Sequence, residues 1–270
     1  MSDHSSEIRG GPARSSFVFG GPALFLALYL ASFFAGLFLR FPYTQWVAFA
    51  AVLVATVASI RLCEGGRWPL GLSVRTLHHV PVGVLLAVVL VGSADLAVIG
   101  STPLRHGSGS GFPLRELAAI YLPAVCHEEL LFRGYAFQKL WRWNRRVAIL
   151  GVSAAFALLH GWNDWITPLA LVNIFLGGVL LSLAYERFTS LWLPAGIHLG
   201  WNLMSGPVLG YPVSGFIPSE TIFTVVGSGP SGLTGGPFGI EGSGLMTVIE
   251  LAAIGAFAWS NARGRMQRAE

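Results

Sequence analysis

Eight stretches of this chain are apolar for long enough to read as membrane-spanning helices. Residues 15–39 and 41–60 carry no charged side chain. Residues 80–104 carry only Asp95, and residues 116–138 hold a compact cluster of Glu128, Glu129 and Arg133. Uncharged runs follow at 147–163, 165–185 and 188–206, and a last one spans 243–262 around Glu250. A spanning helix needs about 20 mostly apolar residues. The pattern therefore predicts an all-α, polytopic membrane helix bundle with about eight transmembrane helices.

Composition agrees with that class: 53% of the 270 residues are hydrophobic and 11% charged, with a mean hydropathy of +0.63. Basic residues set the orientation. With the amino terminus inside, thirteen Lys and Arg fall in cytoplasmic segments, three (Arg40, Arg105, Arg115) fall outside, and Arg133 lies within the bilayer. Removing one helix would destroy that asymmetry, so both termini are expected in the cytoplasm. The net charge of +4 thus reflects membrane orientation, and nucleic acid is not an expected partner. Sixteen of the seventeen basic residues are Arg, a usage that points to a bacterial, GC-rich source and hence to an inner-membrane location. Cys63 and Cys126 imply no disulfide framework. Residues 1–14 read as a mobile cytoplasmic tail, 15–262 as the membrane domain and 263–270 as a basic cytoplasmic tail. The Gly- and Pro-rich connection 207–242 reads as a translocated flexible loop, whose apolar patch Thr221–Val226 is expected to dip into the interface. Trp68 reads as an interfacial anchor.

The chemistry lies in the charged cluster. Ionised side chains at bilayer depth each cost at least roughly 2.5–3.5 kcal/mol, so three within six residues need a return in binding or catalysis, or a neutralising network. Glu129 and Arg133 stand at i and i+4, share a helix face and are expected to form an ion pair. Glu128 points about 100° away, into an apolar setting that suits a base which must take and return a proton. The alternative is a structural ion-pair cluster that locks helices together. His127-Glu128-Glu129-Leu130-Leu131 lacks the second histidine of a zinc-binding H-E-x-x-H helix, and His127 is set aside as a ligand.

Two further segments carry polar groups to similar depth. Phe156 and His160 stand at i and i+4, so the ring can fix the imidazole rotamer. His198 and Asn202 have the same spacing, and both can donate to a developing oxyanion; interhelical hydrogen bonding is the alternative. Pro194, Gly196 and Gly200 beside His198 permit close helix approach. Asp95 and Glu250 read as interhelical polar contacts.

Glu128-Glu129 with Arg133, Phe156 with His160, and His198 with Asn202, in that order, resemble the CAAX protease and bacteriocin-processing family of intramembrane endopeptidases, the Abi family that includes the type II CAAX prenyl endopeptidases. The resemblance covers a protease-like core at about 114–205, and Leu70-Gly71-Leu72 looks like the short cytoplasmic element before it. It implies that Glu128 and His160 activate water while His198 and Asn202 stabilise the oxyanion. The expected activity is hydrolysis of a peptide bond in a membrane-associated or lipidated protein presented from the cytoplasmic side. The family has been described both as metal-dependent and as metal-free. Only His160 and His198 are convincing histidine ligands, and a catalytic zinc normally has three protein ligands. The third would be a glutamate taken from its other role, which favours metal-free hydrolysis over a divalent metal such as zinc. Two alternatives keep other classes open. One is a non-catalytic scaffold or bacteriocin-immunity protein. The other is a small-molecule transporter, for which no inverted repeat is seen.

Overall fold

The computed structural model describes residues 15–38 and 44–267. The amino-terminal tail assigned to 1–14, Arg40 and the last three residues lie outside the described residues.

Helices α1 (Ser15–Phe38), α2 (Thr44–Cys63) and α3 (His79–Ser101) come first. Helix α4 is built from Leu114–Glu116, a π-helical stretch Leu117–Tyr121, and Leu122–Arg133. A short α5 (Tyr135–Trp143) follows, then α6 (Arg145–His160) and α7 (Pro168–Phe188). Helix α8 (Trp192–Leu203) continues as a π-helical stretch Met204–Val208, and α9 (Gly244–Met266) closes the chain. Of these, α1, α2, α3, α7 and α9 are long and apolar enough to cross a membrane. The protein is a multi-pass, all-α membrane bundle; seven of the eight apolar segments each correspond to one helix and the fourth to two. Local chemistry sets several starts: Asn144, Thr167 and Ser243 accept the N–H groups of Val147, Ala170 and Met246, as N-caps do.

The fourth predicted segment, 116–138, is not one helix. Gly134 interrupts it, and a Cβ there would collide with the Leu130 carbonyl oxygen. The chain then turns into α5, which buries Tyr135, Phe137 and Gln138 and leaves Arg142 against the ring of Trp68. Gln138 receives the Trp68 indole N–H at 2.9 Å and donates to the Leu70 carbonyl at 3.1 Å. Trp68 therefore anchors to protein as the cap on this end of the bundle. The basic segment 263–270 is likewise helical at its start, since α9 runs to Met266, and Arg265 pairs with Glu186 at 2.9 Å.

Helices α3 and α8 touch backbone to backbone. A Cβ on Gly83 would lie 2.6 Å from Ile197 N, and one on Gly200 would lie 2.8 Å from Val84 Cα. Gly196 abuts the Val80 carbonyl in the same way. Small residues at membrane-helix contacts allow such packing. Gly200→Leu is expected to force α8 away from α3, cost about 1–3 kcal/mol as overpacking does, and displace His198. A thermal melt in detergent checks the first effect and turnover the second.

At the opposite end from α5, β1 (Arg105–Ser108) pairs antiparallel with β2 (Phe223–Val226), Arg105 facing Val226. Asp95 in α3 accepts from Tyr211 at 2.8 Å and meets His106 Nε2 at 3.0 Å. The apolar patch expected to dip into the interface is largely β2. The connection after α8, expected to be a flexible loop, is folded onto the bundle.

Candidate active site

The two acids on α4 share His198 as a neighbour, but only Glu128 reaches the cavity while Glu129 turns to Arg133. Glu129 and Arg133 are almost fully buried and pair at 3.1 Å. The guanidinium also donates to the Gly178 carbonyl at 3.1 Å and lies 4.9 Å from the Phe156 ring centre. His198 Nδ1 meets Glu129 Oε1 at 2.8 Å, and its Nε2 stands 3.6 Å from Glu128 Oε2. An ionised Glu129 fixes Nδ1 as the N–H donor, which aims Nε2 toward Glu128. The arrangement is a relay of charges in space: Arg133 holds Glu129, Glu129 holds His198, and His198 faces Glu128.

Phe156 joins the two histidines. Its ring centre is 4.5 Å from that of His160 and 6.1 Å from that of His198. Its carbonyl accepts from His160 Nδ1 at 2.8 Å, which leaves Nε2 of His160 as the ring nitrogen free to accept. Glu128, His160, His198 and Asn202 all line one cavity of about 270 Å³. All six residues singled out from the sequence therefore belong to one locality: four line the cavity, while Glu129 and Arg133 stand behind it. His127 points elsewhere, bonded to Tyr29 at 2.8 Å and stacked on it. Cys126 is an exposed free thiol.

One π-helical stretch borders this cavity and the other follows directly on the helix that carries His198 and Asn202. Ile120 and Tyr121 line it from α4, just before Pro123; Met204–Val208 contains Pro207. Proline has no N–H for the preceding turn and its ring crowds the carbonyl there; a π-turn accommodates both, and such turns recur at functional sites.

Reasoning from the sequence missed Glu241. It sits in the connection before α9, is buried, and lines the cavity. Its carboxylate accepts from Ser214 N at 2.6 Å, Ser214 Oγ at 2.8 Å and Trp201 Nε1 at 2.9 Å. Ser214 adopts a left-handed backbone (φ 48°), uncommon outside glycine. The only signal for Glu241 in the sequence was an acid in a long loop without basic residues. Glu250, expected to make interhelical contacts, lines the cavity as well, and its Oε2 has no hydrogen-bond partner.

Among the described residues no three His, Cys, Asp or Glu side chains converge as a metal-holding group. Glu129 Oε1 is taken by Arg133 and His198 while its Oε2 has no partner, and His198 has only Nε2 left. The donor set as arranged does not fit a three-ligand zinc site.

Residues 110–204 match the family of type II CAAX prenyl endopeptidase Rce1-like proteins. This is the family the motifs resemble, and the match contains the acids, both histidines and Asn202. It supports a CAAX-type intramembrane endopeptidase in general. No curated protein and no solved structure matches the chain. Glu241 and Glu250 lie beyond the matched Rce1-like segment.

Proposed function

We propose that the protein hydrolyses a peptide bond of a membrane-associated or lipidated substrate by activating water with Glu128. The observation that carries this reading is His198, held by Glu129 at 2.8 Å and facing Glu128 at 3.6 Å on the wall of a cavity. Glu128 takes a proton from water, and the resulting hydroxide attacks the carbonyl carbon. Nε2 of His160 accepts from that water and orients it. His198, as an imidazolium whose Nδ1–H is held by Glu129, turns its Nε2–H, and Asn202 its amide N–H, to the tetrahedral oxyanion, whose stabilisation usually contributes more to such catalysis than any other effect. As the C–N bond breaks, Glu128 returns its proton to the leaving nitrogen. Glu129 and Arg133 are positioning residues: Glu129 holds the charge and direction of His198, and Arg133 holds Glu129.

The end of the bundle capped by α5 is packed with buried Arg133, Tyr135, Phe137 and Gln138. The polar wall instead continues toward Asn163, Ser214 and Glu241 at the loop end. This favours substrate entry laterally or from the loop end over the cytoplasmic presentation expected from the resemblance. The basic-residue bias supports a loop end outside, with both termini in the cytoplasm of a bacterial inner membrane. Cysteine introduced at Ser228 should be labelled from the outer face by an impermeant maleimide, and labelling from the inner face would reverse the topology.

Purified protein is to be incubated with a proteome-derived peptide library and the products sequenced by mass spectrometry. New termini internal to the peptides are expected, absent with Glu128→Ala. They should persist after chelator treatment of protein whose metal content has been read by elemental analysis. Stoichiometric zinc, with turnover lost on stripping and restored by adding it back, would overturn the metal-free route. No cleavage by well-folded protein would favour a non-catalytic scaffold.

A further inference from the structure

At the loop end of the cavity several hydrogen-bond donors are already spent, although the Tyr121 hydroxyl, which also lines it, is buried without a partner. Trp201 and Ser214 donate to the Glu241 carboxylate. Asn173 donates to the carbonyls of Glu241 and Ser243 at 2.7 and 2.8 Å, and Asn163 to that of Ser214 at 3.0 Å. Apart from the Tyr121 hydroxyl, acceptors remain. Glu250 is 2% exposed, its Oε2 is without a partner, and it lines the cavity together with Glu241. Gly177 faces it across the cavity wall: a Cβ there would come within 3.4 Å of Glu250 Oε1, so the glycine keeps the carboxyl unobstructed. Among the described residues no Lys or Arg lines the cavity, whereas three acids do. A buried carboxyl without a partner is costly, and a cation placed against it removes that cost.

We propose that Glu250, beside Glu241, forms a subsite for a cationic side chain of the substrate, a Lys or Arg a few residues from the bond that is cut. The geometry suits a long basic side chain. Its aliphatic stem can lie along Ile174 and Leu181 of the lining, as such stems do on apolar surfaces, while its head reaches the acids. Glu241 already accepts from three donors whereas Glu250 Oε2 has none, so Glu250 is the group that discriminates. The proposal rests on the endopeptidase reading for the identity of the occupant, although the acceptor-rich wall stands without it.

The test has two arms. In the first, peptides found to be cut are resynthesised with Lys, Met or Glu at each position flanking the bond. At one position, kcat/KM for Lys over Met should be about tenfold or more, as expected for a hydrogen bond to a charged group. Glu250→Gln should bring that ratio near one, lowering kcat/KM for the Lys peptide about tenfold more than for the Met peptide. The second arm needs no turnover. Fluorescein-labelled polyalanine octapeptides with a single central Lys, Met or Glu are titrated by anisotropy against wild type, Glu250→Gln and Glu250→Ala. About tenfold tighter binding of the Lys peptide, lost in both variants, is expected. Equal binding of the Lys and Met peptides by the wild type overturns the subsite whatever the variants do. A preference for Lys that survives both substitutions, or an equal loss on all peptides, also overturns it. Absence of any cleavage, with the binding preference intact, defeats the endopeptidase reading and leaves the subsite standing.

Discussion

Glu128→Gln is expected to abolish turnover while leaving the bundle folded. The substitution keeps the shape of the side chain and removes only its ability to hold and return a proton. The loss should be about 100- to 10,000-fold in kcat, the range a positioned general base contributes. Folding should survive because Glu128 anchors little. Its approach to His198 is 3.6 Å, too long for a hydrogen bond, and its side chain is partly open to the cavity. The melting temperature in detergent should move by no more than about 2–4 °C, the equivalent of about 1 kcal/mol in a domain of 150–250 residues. Measuring kcat on a peptide from the library, beside the melt and a gel-filtration profile, separates chemistry from unfolding. Wild-type turnover in the purified variant would remove Glu128 as the base and return attention to the structural-cluster alternative.

The local parts of this site were legible in the chain. Glu129 and Arg133 at i and i+4 form the predicted pair, and Phe156 packs on His160 as the same spacing implied. The eight apolar segments were legible too, because bilayer thickness demands a run length that few other structures need. The contact of His198 with Glu129 was not. It depends on how α8 is rotated against α4, and that rotation follows from non-local packing such as the glycine contact between α3 and α8. The break at Gly134 was hidden because Tyr135–Trp143 keeps a helical, amphipathic pattern after it. The connection after α8 was misread for a related reason. Its Gly and Pro content signals flexibility, but its polar groups are satisfied by distant side chains. Asn173 binds the Glu241 and Ser243 carbonyls, and Tyr211 binds Asp95. None of these partners is near in sequence, so no local pattern announces them.

Arg133→Met and Glu129→Gln are each expected to destabilise the protein strongly, and the double substitution less than the sum of the two. The Arg133 side chain is fully buried and that of Glu129 is 3% exposed. Breaking such a pair by removing one partner costs about 3–5 kcal/mol, because the other charge is left uncompensated. Arg133→Met leaves the Glu129 carboxylate to lean on His198 alone, and Glu129→Gln leaves the guanidinium over Phe156 without its anion. The double variant has no stranded charge and should recover most of the lost stability. Turnover is where the two views of the cluster separate. If the three charges only lock α4 in place, restoring stability restores whatever the protein does. If Glu129 positions His198, the double variant folds and still fails, since a neutral amide at 129 no longer holds the direction of the imidazolium or stabilises its charge. The expected result is therefore a near-native melt with turnover still reduced by at least about 100-fold, the lower end of what a positioned acid–base group supplies. Additive destabilisation would show that Glu129 and Arg133 are not energetically coupled, and recovered turnover in the double variant would reduce them to scaffold.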